Sequence, residues 1–255
     1  MPKRTLLLAA LTLVGITVVP TPTVLAERNA SRTFNARPEI ALQYDFFVVD
    51  GVRIGDAAKP KHDGTLQNGE IVVGKRKPAV RLDGNGSILV ASSAEALNPA
   101  QKAFSVGALC RPTAPNGVVV AMGGARNGFS LYLKDGVPQF AVRSNGELTT
   151  VAGDDQVALD QWVHLFAAVG GDGEVQLVVN AWPVAKGQGK LIAWAPEKPM
   201  SIGMDSGGPI GDYKGPMGWH GLLEDVRLYW GVVDRDEHRD ELGDWADRPG
   251  CGCRK

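Results

Sequence analysis

The stretch Gly128-Phe129-Ser130-Leu131-Tyr132-Leu133-Lys134-Asp135-Gly136 decides the fold class. Phe129, Leu131 and Leu133 alternate with Ser130, Tyr132 and Lys134, a period of two that puts three apolar side chains on one face of an extended strand. Asp135-Gly136 then supplies the positive φ angles that a tight hairpin turn needs. The pattern continues in both directions. Phe104, Val106, Ala108 and Cys110 share a face opposite Ser105 and Gly107, and Val175, Leu177 and Val179 alternate with Gln176 and Val178. Asn116-Gly117, Asn127-Gly128, Asn145-Gly146 and Asp172-Gly173 fall between the runs as further turn signals. Short strands at this spacing, without amphipathic helices of useful length between them, predict an all-β, antiparallel two-sheet sandwich. No Pro- or Ser-rich linker and no fixed repeat interrupts residues 40–235, so one domain is expected.

The composition agrees with this class. The chain has 255 residues, 44% hydrophobic and 22% charged, with 32 Gly and 3 Cys. That excludes a collagen-like repeat, a disordered chain and a disulfide scaffold. A formal net charge of −1 gives no electrostatic reason to expect nucleic acid or an anionic membrane as partner. Lys3 and Arg4, the apolar run from Leu6 to Val19 and Val24-Leu25-Ala26 have the layout of a secretory signal peptide over residues 1–26, cut before Glu27. The run is shorter than the roughly 20 residues of a spanning helix, so a secreted or extracytoplasmic protein without membrane insertion is expected. A lead segment (27–39), the sandwich domain (40–243) and a cysteine-containing tail (244–255) would follow. Cys110 could join Cys251 or Cys253, or it could lie buried and inert with the Cys-Gly-Cys tail engaged separately. The second reading is preferred, because nothing in the spacing forces a bridge.

Towards the C-terminus, Gly221-Leu222-Leu223-Glu224-Asp225-Val226-Arg227-Leu228-Tyr229-Trp230 reads as a strand. Asp234 with Glu237 fits a capping box opening a short C-terminal helix towards Leu242. Upstream lie Ala79-Val80-Arg81-Leu82-Asp83-Gly84, Ser87-Ile88-Leu89-Val90, Leu97-Asn98, Gln161-Trp162-Val163-His164-Leu165 and Ser201-Ile202-Gly203. In this order, over about residues 40 to 243, the segments resemble the laminin G-like, concanavalin A-like lectin/glucanase jelly roll in its secreted bacterial variety. The resemblance implies two curved antiparallel sheets packed face to face. It implies no single activity, because the architecture carries lectins, adhesion modules and glycosidases alike.

A glycosidase needs two carboxylates about 5 to 9.5 Å apart across the scissile bond. The glucanases of this resemblance carry them in a Glu-x-Asp-x-x-Glu type run, which is missing here. The acidic clusters present are Asp154-Asp155, Glu224-Asp225 and the stretch from Asp234 to Glu241. A Gly-x-Ser-x-Gly elbow and a His-Glu-x-x-His zinc motif are also missing, so no catalytic residues and no enzyme are expected. By period two, Glu224 shares a face with Leu222, Val226, Leu228 and Trp230, where a bare carboxylate costs several kcal/mol. It must therefore be paired, for example with Arg81 or Arg227, hydrogen-bonded, or bound to a cation. The resemblance implies a structural calcium near the rim, with Asp56 and Glu224 as its candidate ligands among six to eight oxygens.

Ligand binding is expected in the long glycine-rich segment from Asp205 to His220, which lacks a strand pattern. Sugars bind to aromatic faces beside a few fixed polar groups. Tyr213 or Trp219 would stack, Asp205 or Asp212 would hydrogen-bond, and His220 would lie alongside. Trp182 and Trp194 are expected to flank a second loop, Pro183 to Ala193. His164, alternating with Trp162 and Phe166, reads as a core or interface histidine, and His62 as a loop residue able to touch a ligand. The expected function is a secreted, non-catalytic recognition module for glycans or another extracellular polymer. The alternatives are a protein-interaction or adhesion module, and a glycosidase lacking the usual acidic motif.

Overall fold

A computed structural model describes residues 37–234. The expected signal peptide, most of the expected lead segment, the helix expected after Asp234 and the cysteine tail lie outside the described residues. In chain order the elements are β1 (Glu39–Tyr44), β2 (Val49–Asp50), β3 (Arg53–Ile54), β4 (Gly64–Val73), β5 (Pro78–Val90), α1 (Ser93–Ala96), β6 (Phe104–Pro112), β7 (Gly117–Gly123) and β8 (Gly128–Lys134). Then come β9 (Val137–Ser144), β10 (Glu147–Ala152), β11 (Val163–Val169), β12 (Glu174–Val179), β13 (Trp182–Gln188), β14 (Met200–Ile202) and β15 (His220–Trp230). Among the described residues no helix is long and apolar enough to cross a membrane.

The strands form one antiparallel hydrogen-bonded path, β10-β9-β8-β7-β14-β5-β15-β6-β11-β12-β13, with β1 added to β15 and β4 to β5. The path folds over on itself. Its β7–β9 wing packs against its β6–β12 wing, with the rings of Phe104 and Phe129 4.9 Å apart between centroids. Val120, Phe129, Leu131, Phe140 and Val142 from one wing share the main core with Val106, Cys110, Leu165, Leu177 and Leu228 from the other. Each such side chain contributes about 1.5–3 kcal/mol on full burial, so the alternating strands are held by their inner faces. The predicted alternation of β6, β8 and β12 is met. Asp135-Gly136 and Asn145-Gly146 both place their two residues at positive φ, as hairpin turns require, whereas Gly117 opens β7 without a positive φ.

β15 departs from its expected periodicity. Leu222 and Leu223 pair with Arg81 and Val80 of β5, but beyond the strand's middle Val226 and Arg227 pair with Tyr44 and Gln43 of β1. At this handover β15 carries a bulge against β6, where Glu224 opposes Leu109 and Arg227 opposes Gly107. Asp225 takes a left-handed φ of 52° there. A bulge inserts one residue and reverses the facing of everything beyond it. Leu223, Val226 and Leu228 therefore all reach the core. Glu224 does not share their face, contrary to the period-two expectation, and points with Asp225, Arg227 and Tyr229 to the outer surface.

Candidate functional site

The outward cleft at the β15 bulge is lined by Arg76, Lys77, Gly107, Leu109, His164, Phe166, Glu224, Asp225, Arg227 and Tyr229. Glu224 organises one wall. Its carboxylate accepts backbone N–H bonds from Lys75 (2.6 Å), Arg76 (3.2 Å) and Lys77 (3.2 Å), the residues that turn β4 into β5. Gly74 completes the turn, and a Cβ there would lie 2.5 Å from Glu224 Oε2, so no other residue fits unshifted. A buried carboxylate satisfied by converging amides is stable without a cation, because such charge-assisted bonds are the strong ones.

Asp225 organises the floor. Its carboxylate accepts from Arg227 Nε (2.9 Å) and Nη2 (2.7 Å), from Lys77 Nζ (2.8 Å) and from Gln43 Nε2 (2.8 Å). Burial alone would push its carboxyl up, but the Arg227 bonds and charge, with Lys77 and Gln43, outweigh burial and hold it well below the usual carboxylate range. Burial opposes the charge of Arg227 in the same way, and Asp225 raises that guanidinium above its ordinary value. Arg227 Nη1 also donates to Tyr229 Oη at 2.9 Å. The bulge makes the bidentate pair between residues two apart possible, by turning Asp225 out of the regular pleat.

An aromatic row borders these charges. The His164 and Phe166 rings stack at 5.7 Å with 28° between planes, and Phe166 meets Tyr229 at 6.1 Å. Phe166, Val178, Tyr229 and Val233 form a small apolar cluster on this outer face. Gly107 makes room for the Phe166 ring between β11 and β15, since a Cβ there would lie 2.5 Å from Phe166 Cδ2. His164 thus sits on the outer side of β11, half-buried, rather than in the main core.

The segment from Asp205 to His220 is an irregular loop as expected, and part of it folds down on a sheet. It lies over the outer face of β7–β9, where Tyr213 and Met217 pack on Val118, Ala121, Tyr132 and Ala141. Asp205 is buried and accepts from Gly207 N (3.0 Å), Ile210 N (3.3 Å) and Tyr213 Oη (2.5 Å). Burial raises its carboxyl above the usual value against the pull of these bonds. Asp205 and Tyr213 are therefore brought together, as the lock of their own loop. Trp219 is 1% exposed within the main core and offers no face for stacking, which corrects that expectation. Its buried indole Nε1 has no hydrogen-bond partner among the described residues. Asp212 is exposed and paired with Lys134 Nζ at 2.5 Å, and His220 is exposed at the start of β15, opposite Asp83 of β5. The physical reason is area: burying a large indole against the core outweighs leaving it on a rim.

The calcium ligands expected by resemblance do not converge either. Asp56 is buried and accepts from the backbone N–H groups of Gln43 (2.8 Å), Ala58 (2.9 Å) and His62 (2.9 Å). It closes its own loop, as Glu224 closes the turn before β5, so the two carboxylates do not fit a shared calcium cradle. Among the described residues no group of three or more His, Cys, Asp or Glu could hold a metal ion. His62 is buried in the same loop, with its carbonyl accepting from Tyr44 Oη at 2.6 Å. Trp182 and Trp194 are 54% and 68% exposed, but residues 183–188 between them continue β13 rather than a loop. Cys110 is a free, buried thiol that burial pushes up, in line with the inert reading.

Sequence reasoning missed the cleft as a site. Its one visible trace was the adjacent Leu222-Leu223 and Glu224-Asp225 pairs, which break strict alternation where a bulge is needed.

The profile described as the concanavalin A-like lectin/glucanases superfamily matches residues 82–237. Among solved structures, domain 4 of AbnA, a GH43 extracellular arabinanase from Geobacillus stearothermophilus, in complex with arabinotriose, superposes with a TM-score of 0.64 at 18% identity, covering 80% of this chain and 98% of that one. The binding domain of Paraclostridial Mosquitocidal Protein 1 superposes with a TM-score of 0.58 at 16% identity, over 82% of this chain and 52% of the other. The Botulinum Neurotoxin serotype G binding domain gives 0.57 at 8% identity, over 80% and 50%. The chain thus spans nearly all of the first and about half of the other two. At these identities the likeness is one of fold. No curated protein matches the sequence.

Proposed function

We propose that this chain, which belongs to the concanavalin A-like lectin/glucanase superfamily, acts as an exported, non-catalytic module that binds glycans at the β15 cleft. One observation carries the reading. The fold holds Asp225 at positive φ and desolvates an Asp225–Arg227 pair on the outer surface of a sheet, beside the His164, Phe166 and Tyr229 rings. Backbone strain of this kind costs about 1–3 kcal/mol and tends to collect at ligand sites. A desolvated ion pair contributes little net stability of its own. Fixed polar groups beside ring surfaces are what saccharide recognition uses. The arabinotriose complex of the AbnA domain supports the ligand class by analogy of fold.

The non-catalytic part rests on the state of the two cleft carboxylates. Glu224 is taken up by backbone amides and Asp225 by cations, which leaves neither as a proton donor for a glycosidic oxygen. The export part rests on the signal-like residues 1–26, and N-terminal sequencing of the exported protein should begin at Glu27. A glycan array read with the full chain and with His164→Ala tests the binding. A saccharide signal that weakens in the variant supports it, and silence across the array at high protein concentration removes it.

One observation favours a second reading, a protein-docking module. The β2–β3 hairpin turns Phe47, Val48, Val49 and Val52 outward together, with Phe47 64% exposed. Clustered exposed apolar side chains mark interaction surfaces more often than single ones do.

A further inference from the structure

The structure assigns a second glycan contact outside the β15 cleft: a stacking platform at Trp194, on the loop from β13 to β14, for a neutral polymer of β-linked pyranose sugars. It takes its ligand class from the glycan reading, but not its site or its residues. Trp194 is 68% exposed whereas Trp219 is 1% exposed, so one indole fills the core while another is left in water. Such exposure forgoes the burial that makes tryptophan stabilising. It is not the result of a slack backbone. Three consecutive carbonyls ahead of Trp194 are held from outside the loop: that of Leu191 accepts from Ser144 Oγ (2.8 Å), that of Ile192 from Gln101 N (2.9 Å) and that of Ala193 from Gln101 Nε2 (3.0 Å). Ile192 is buried on one side and Pro196 on the other, so Trp194 and Ala195 form a two-residue ridge between anchors. A ring fixed in advance lowers the ordering cost of binding.

Gln101 supplies two of these anchors from a left-handed φ of 58°, a strain that a non-glycine residue bears only where its surroundings compel it. The same side chain brings polar character to the indole. Its Nε2 is spent on Ala193, next to Trp194, while among the described residues its Oε1 accepts no hydrogen bond and faces the demand of a sugar hydroxyl. Lys102, the next residue, holds its ammonium 4.5 Å from the centroid of the Trp230 ring as a fixed donor. The charges of this rim select no acidic ligand. Lys102 lies on Trp230, Lys190 pairs with Glu147 at 2.6 Å, and Glu197 and Lys198 offset each other. What remains to select by is the flat indole. A pyranose with equatorial substituents presents C–H groups alone on both of its faces, which an aromatic face accepts, whereas a furanose ring does not lie flat.

Affinity electrophoresis of the full chain through gels containing mixed-linkage β-glucan or linear arabinan tests this, with Trp194→Ala, Trp194→Tyr, His164→Ala and Trp182→Ala as variants. Trp182, 54% exposed, stands at the opposite end of β13 and controls for adhesion to any exposed indole. Circular dichroism checks that each variant is folded. Retardation by β-glucan should exceed that by arabinan at least about threefold, because only the pyranose polymer lies flat on the ring. It should fall about tenfold or more in Trp194→Ala, as truncation of an aromatic anchor does, recover in Trp194→Tyr and stay unchanged in Trp182→Ala. Cellohexaose added to the native chain should shift tryptophan emission to shorter wavelength as the indole leaves water, which tests the platform without any variant. Absence of that shift overturns it. Equal retardation by arabinan overturns the pyranose class, and equal losses in Trp194→Ala and Trp182→Ala overturn the site. A loss in His164→Ala with none in Trp194→Ala also overturns it while upholding the glycan reading at the cleft. Binding of Trp194 to phosphatidylcholine vesicles without retardation by β-glucan replaces the sugar with a lipid surface and overturns the assignment. No retardation by either polymer removes this platform, whereas the cleft reading falls only with a silent glycan array.

Discussion

Replacing Glu224 by Gln keeps the shape of the side chain but removes its charge and turns one acceptor oxygen into an N–H donor. In the native turn Glu224 accepts from three consecutive backbone N–H groups at 2.6, 3.2 and 3.2 Å. A glutamine can serve at most its single oxygen to these donors. Each bond that stays loses its charge assistance, about 1 kcal/mol, and an amide left facing an N–H group loses about 1–3 kcal/mol. Water reaching the exposed side of the turn offsets part of this, so the expected loss is about 2–4 kcal/mol. For a domain of this size each kcal/mol lowers Tm by roughly 2–4 °C, giving a fall of about 5–15 °C. Urea unfolding followed by tryptophan fluorescence at pH 7 measures it, with an unchanged m-value as the sign that only stability has moved. A loss below about 0.5 kcal/mol would refute the claim that Glu224 is the keystone of the turn before β5, since such values are typical of unremarkable surface sites.

Trp219→Ala should cost about 3–5 kcal/mol through a core cavity, whereas Trp219→Phe should cost less, because it leaves a smaller cavity and removes an Nε1 that has no hydrogen-bond partner among the described residues; paired chemical melts compare them. Asp225 has a folded pKa below its unfolded value, so its contribution is present above about pH 4 and is lost as pH falls through the folded value. The stability gap between the native chain and Asp225→Asn should therefore be wide at pH 7 and narrower at pH 3, and a gap that does not change with pH contradicts the pairing. The Cys110 thiol is buried and pushed up, so at pH 8 it should resist a thiol reagent in the native protein and react at once in urea, as a timed colorimetric assay would read. Because Asp56 and Glu224 are satisfied by backbone amides, adding calcium or chelator should leave the melting midpoint within about 1 °C, and a rise of several degrees on adding calcium would show a bound ion.

The fold was readable because its signals are local. Phe129-Ser130-Leu131-Tyr132-Leu133 alternates within five residues, and Asp135-Gly136 states its turn in two. The candidate site was less readable. The sequence pointed to Glu224 as a residue needing a partner, which it is, but it misjudged the face, because one bulge at Asp225 reverses the parity of all that follows. It also expected ligand binding along the glycine-rich segment from Asp205 to His220, where the loop in fact packs down on a sheet. Composition cannot separate a loop that waits for a ligand from one that folds down on a sheet, as Tyr213 and Met217 do on Tyr132 and Ala141.

Strand period, turn chemistry and the family pattern were thus determined by the sequence alone, since each depends on residues within a few positions of one another. The cleft, the burial of Trp219 and the engagement of the acidic residues were decided only by the tertiary structure. The backbone donors to Glu224 stand 147 to 149 residues away along the chain, and Gln43 stands 182 from Asp225. Which amide meets which carboxylate over such distances is set by how β5 and β1 share the two halves of β15, and no local period encodes that choice.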